Sequence, residues 1–170
     1  MTICEKALSC GFADAVLFDA ALVTPQERIR TLCSPKSCQS YGRCWLCPPC
    51  CKTLDEMAAA LSTYKNAMLL TSRFLPCRPD DMEEAARLAK QHSARMLRLA
   101  AEQPGCLILT VGGCRLCESC TCPQEPCRRS DLHLGAVSAY GIDVSEICQK
   151  LGVPFAFERG KLCFVGFLFW

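Results

Sequence analysis

Two dense groups of cysteines constrain this chain more than any other feature. "CSPKSCQSYGRCWLCPPCC" runs from Cys33 to Cys51, and "GGCRLCESCTCPQEPCR" runs from Gly112 to Arg128. Each contains C-x2-C-x2-C: Cys44, Cys47 and Cys50 in the first, Cys114, Cys117 and Cys120 in the second. Three thiolates at this spacing converge on three corners of a cubane, as in bacterial ferredoxins. Zinc sites more often use two separated C-x2-C pairs. The pattern therefore points to one or two 4Fe–4S clusters, with zinc as the alternative.

The whole chain carries 17 cysteines in 170 residues, a density typical of disulfide scaffolds when a chain is short and secreted. At this length, however, a hydrophobic core forms without cross-links. The start, "MTICEKALSCGFADAV", lacks the basic stretch and apolar run of a secretory signal. An odd count also leaves at least one thiol unpaired. The expected setting is a reducing cytoplasm, where cysteines serve as ligands or as core residues. Nineteen basic residues against 17 acidic give a formal charge of +2, which argues for neither nucleic acid nor a membrane surface. No apolar stretch approaches the roughly 20 residues of a spanning helix.

Around the cysteine groups the chain reads as α+β. It is expected to form a single domain over residues 1–170, with a central mixed sheet, flanking helices and two cysteine-rich metal-binding loops. Three helix starts pair a cap residue with glutamate three positions on: Thr53 with Glu56, Asp80 with Glu83, and Asp143 with Glu146. The middle helix, about residues 81–102, places Met82, Ala85, Ala89, Met96 and Ala100 near one face. Glu83 and Arg87 fall four apart on its wet side. The last helix stops near Gly152, with Pro154 beyond. Buried strands are expected at 15–18, 67–72 and 106–111. A hairpin is expected in the tail around Arg159, Gly160 and Lys161. The apolar end "CFVGFLFW" reads as a buried strand, or less simply as a partner or homodimer surface.

Both cysteine groups then fall in loops. The second follows strand "CLILTV" through Gly112 and Gly113, which let backbone approach a cluster and aim N–H groups at its sulfurs. Ferredoxin spacing places a fourth ligand at Gln124, so the choice lies between Cys122 and Cys127. A one-residue gap after Cys120 strains the chelate and a six-residue loop does not, which favours Cys127. Cys122 is left as a spare thiol. The first group offers six thiols where four suffice, and spacing alone selects Cys44, Cys47 and Cys50. Tyr41 and Trp45 either shield a cluster from water or simply pack. Arg115, Arg128 and Arg129 either offset the charge of four thiolates or face solvent. Cys106, Cys148 and Cys163 sit in apolar runs and read as small core hydrophobes. Cys4, Cys10 and Cys77 are open, and Cys77, in "LPCRP", is a candidate for a place beside a site. Neither His92 nor His133 forms a cysteine–histidine dyad by spacing. No P-loop, zincin or dinucleotide glycine pattern is present.

"CQSYGRCWLCPP" (38–49), "GGCRLCESC" (112–120), "PCR" (126–128) and "AYGIDV" (139–144) together resemble a family of small cysteine-rich, predicted metal-binding proteins of unknown function. Such proteins are found largely in anaerobic bacteria and archaea. The resemblance extends from about Cys33 to Val144. It implies metal ligands at Cys38 and Cys47 in the first loop, with Cys33 at one residue's longer spacing; Cys44 and Cys50 are additions to the family pattern, and Cys44 is kept as the candidate fourth ligand. In the second loop it implies Cys114, Cys117, Cys120 and Cys127. The family's usual proline and glutamate before "AYGIDV" are absent here. The expected function is electron transfer to a redox partner protein. An open-iron cluster enzyme and a zinc-stabilised interaction module are the alternatives.

Overall fold

A computed structural model describes residues 1–75, 78, 81–155 and 160–170. Five helices and five strands succeed one another: α1 (Ile3–Ser9), β1 (Asp14–Asp19), α2 (Glu27–Arg30), α3 (Leu54–Leu61), β2 (Asn66–Phe74), α4 (Met82–Ala100), β3 (Leu107–Thr110), β4 (Leu134–Ala136), α5 (Val144–Lys150) and β5 (Leu162–Phe169). The strands form one mixed sheet in the order β1-β2-β5-β3-β4. Only β3 and β4 run parallel; the other neighbours are antiparallel. The fold is α+β, as the sequence implies.

Alternation along the strands divides the core between two faces. Met68 and Leu70 of β2, Ile108 of β3 and Leu168 of β5 meet Ala7 of α1 and Met96 and Leu99 of α4 on one side. Leu69, Leu109, Phe167 and Phe169 face the other side, with Met57, Leu61, Ile147 and Tyr140. Cys44, Leu46 and Cys47 belong to this second cluster, so the first cysteine loop is itself part of the core. Fully burying side chains such as Phe167 or Leu69 stabilises the fold by about 1.5–3 kcal/mol each, and that energy also holds the loop in place. The "CFVGFLFW" run is β5, buried between β2 and β3 from Val165 to Phe169.

Helix starts follow the capping chemistry with one shift. Thr53 and Glu56 form a reciprocal capping box, and Asp143 accepts from the Glu146 amide. For α4 the cap is Asp81, whose carboxylate accepts from the amides of Glu83 and Glu84; Asp80 lies outside the described residues. Thr2 and Glu5 form another complete box on α1. On α4, Ala89, Met96 and Ala100 are buried as the periodicity implies, but Met82 is 68% exposed. Met82 is the first residue after the cap, before the helix reaches the sheet. Arg87 pairs with Glu84 at 3.7 Å rather than with Glu83. Of the expected tail hairpin, residues 156–159 lie outside the described residues, and the later apolar run falls in β5, which pairs with β2 and β3. Among the described residues, no helix is long and apolar enough to cross a membrane.

Candidate metal centre

The two cysteine loops, more than 60 residues apart in sequence, pack against each other. Their meeting point is the turn after β3. Gly113 lies so close to the first loop that a β-carbon there would stand 2.6 Å from Ser40 Oγ and 3.5 Å from Cys44 Sγ. The Cys114 amide also helps to hold the Cys44 thiol down, so the turn after β3 acts on the first loop. Trp45 adds a second tie, its indole N–H donating to Thr121 Oγ1 at 3.3 Å and to the Glu125 carbonyl at 3.2 Å. Gly113 thus provides the close backbone approach expected of it, but toward the opposite loop. Gly112 has a positive φ of 64°, and Arg115 closes the turn by donating to the Val111 and Gly113 carbonyls. Arg115 is therefore engaged with backbone.

In the first loop Cys33, Cys38 and Cys44 all lie near enough to Cys47 to act on its thiol electrostatically. Cys44 is held down to about 6, chiefly by a hydrogen bond from the Cys47 thiol, with burial opposing and the amides of Cys114, Leu46 and Cys47 helping. Cys47 is pushed up because it keeps the proton it donates to Cys44, because it is buried, and because Cys44, Cys38 and Cys33 present like charge to it. Cys33 is fixed further by donating to Ser138 Oγ at 3.4 Å. Cys50 takes a different partner. It hydrogen-bonds Cys122 of the second loop, and burial together with that bond pushes Cys122 up to about 12. Cys44 also acts on Cys122, so Cys50 and Cys122 lie beside the first-loop thiols.

In the second loop Cys114, Cys117, Cys120 and Cys127 line one cavity of about 530 Å³, and Cys122 does not. The Cys127 sulfur accepts from the Arg129 amide at 3.4 Å. Burial raises Cys114, and the neighbouring sulfurs of Cys44, Cys120 and Cys117 add to the effect while the Leu116 amide opposes it. Cys51, raised by burial, also lines the cavity, as do Trp45 and His133. Arg128 donates to the Ser119 carbonyl at 3.2 Å and Arg129 pairs with Asp131 at 3.1 Å. Among the described residues, no three cysteine, histidine or carboxylate side chains close tightly enough to hold a single metal ion. The thiols border a volume rather than a point.

The "AYGIDV" segment braces this arrangement. Gly141 has a φ of 65°, and a β-carbon there would lie 2.7 Å from the Gln26 backbone nitrogen. That nitrogen donates to the Gly141 carbonyl at 2.8 Å. Tyr140 lines the cavity, and Asp143 caps α5. Arg30 completes the brace by donating to the Ala139 carbonyl and, at 2.9 Å, to the Lys52 carbonyl beside the first loop. Ser40, Ser138, Arg30 and the Cys50–Cys122 pair were not legible in the sequence, since each depends on a contact between distant segments.

The remaining cysteines behave as core residues. Cys106 and Cys148 are buried, and burial raises the thiols of Cys106, Cys148 and Cys163, Cys148 to about 11. Cys4 and Cys10 pack against the α4 side of the core. Cys77 lies outside the described residues.

Comparison with curated proteins and with solved structures returns no match. Residues 16–170, which include both cysteine loops, match the family described as predicted metal-binding protein (DUF2284), and the chain belongs to that family.

Proposed function

We propose that the protein binds one or two 4Fe–4S clusters and passes electrons to a partner protein. The observation that carries this reading is the convergence of Cys114, Cys117, Cys120 and Cys127 on one cavity. Their C-x2-C-x2-C spacing with a six-residue loop to Cys127 suits a cubane. The second cluster would be held by Cys33, Cys38, Cys44 and Cys47, whose thiols act on one another. When bound, such a cluster supplies a one-electron carrier.

The chain's own contribution is to fix the thiols and to tune them. Amides of Cys114, Leu46 and Cys47 directed at the Cys44 sulfur favour its thiolate, and the Arg129 amide does the same at Cys127. The Gly113 contact and the Trp45 bonds hold the two sites side by side, an arrangement suited to moving an electron between them. Iron and acid-labile sulfide measured on anaerobically purified protein test the reading. Zinc without sulfide would replace it with a zinc-stabilised module.

A further inference from the structure

The cavity bordered by the second-loop thiols changes chemistry from floor to mouth. Its volume of about 530 Å³ falls within the range of small-molecule sites, about 300–1,000 Å³. Met57 of α3, Leu107 of β3 and Tyr140 form a buried apolar floor, with Ala60, Tyr64 and Leu134 half-buried beside them. Lys52, Arg128 and Arg129 are exposed at its edge, and among the described residues no aspartate or glutamate is part of the lining.

We propose that this cavity binds a small organic anion, a carboxylate on an apolar body, beside the metal centre. The proposal rests on the second-loop thiols holding metal. Thiolates repel an anion, so the carboxylate belongs at the cationic mouth and the apolar body against α3 and β4. Arg128 and Arg129 each spend part of their hydrogen-bonding capacity on the Ser119 carbonyl and on Asp131. A guanidinium carries five N–H donors, so both retain donors for a carboxylate. Tyr140 stays protonated, because burial and the neighbouring Tyr64 push it up to about 12, and its hydroxyl adds no charge against the ligand.

The test titrates anaerobically prepared protein with phenylpropanoate and octanoate, and with the neutral amide of each, by calorimetry. Iron, zinc and sulfide are measured on the same samples. Both acids should bind at millimolar concentration or below, at least about tenfold tighter than their amides, the worth of one charge-assisted hydrogen bond. Arg128→Gln with Arg129→Gln should remove that tenfold preference, and Ala60→Trp should weaken acids and amides alike while metal content stays unchanged. No binding at millimolar concentration in metal-loaded protein overturns the pocket, and so does equal binding of acid and amide. Binding that neither variant alters has the same consequence. Acid-selective binding in protein that contains zinc but neither iron nor sulfide keeps the pocket and removes the cluster reading, so the two failures are distinguishable.

Discussion

A β-carbon on Gly113 would stand 2.6 Å from the Ser40 hydroxyl oxygen, so the second cysteine loop touches the first where only glycine fits. Gly113→Ala must push Ser40 away, and the loop segment that carries it, at a cost of about 1–3 kcal/mol, whereas Cys44 Sγ at 3.5 Å is in ordinary contact. Metal content of the whole protein, not only of the second loop, should fall in this variant. Denaturant unfolding and metal analysis check both effects, and unchanged values would mean that the loops are independent.

Cys127 and Cys122 compete for the same role in the sequence and part company in the structure. Cys127 lines the thiol-bordered cavity, whereas Cys122 pairs with Cys50. Cys127→Ser should lower bound metal by the second loop's share, and Cys122→Ser should leave it within error of the wild type. Metal-to-protein ratios for the two variants decide between them.

The Trp45 indole N–H spans the loops to Thr121 and Glu125. Trp45→Phe keeps most of the apolar body and removes the donor, and should cost about 1 kcal/mol. Urea unfolding followed through Trp170 in the variant measures the loss. A cost near zero would assign Trp45 to packing alone.

Much of this site was legible because local spacing encodes it. C-x2-C-x2-C and the six-residue loop to Cys127 lie within one segment, so the chelate argument needs no tertiary knowledge. The first loop was less legible, since the partner of Cys50 is Cys122 and no local pattern links them. The same distinction holds for the fold. Long apolar strands such as β2 announce themselves, whereas β4 is three residues, Leu134–Ala136, stabilised by parallel pairing with β3. The Asp80–Asp81 doublet offers two caps, and a one-residue ambiguity of this kind is settled only by helix geometry. Thr2 and Glu5 carry the same overt capping-box signal at the start of α1, beyond the three starts read from the sequence.

His92 supplies a pH dependence on the face opposite the cysteines. It is fully buried on α4, its Nδ1 paired with Ser72 Oγ at 2.9 Å and its Nε2 without a hydrogen-bond partner among the described residues. Burial, then the charge of Arg95, lowers it to about 4 from an ordinary 6.5. The unfolded chain therefore takes up the proton more readily, and stability falls as pH drops through the window from 6.5 to 4. Between about pH 7 and pH 5 the loss should be about 2 kcal/mol. His92→Gln should lack this component, so wild-type and variant stabilities should converge on acidification. Parallel pH curves would contradict it.

The central claim is that the thiol-rich loops hold iron–sulfur clusters. Its most direct test is iron and acid-labile sulfide content, with EPR of the reduced state, on anaerobically prepared protein and on Cys47→Ser and Cys117→Ser variants. Iron and sulfide in equal amounts with a cluster EPR signal, each variant losing one loop's share, is the predicted result. A colourless protein containing zinc and no sulfide, even after reconstitution, would contradict it.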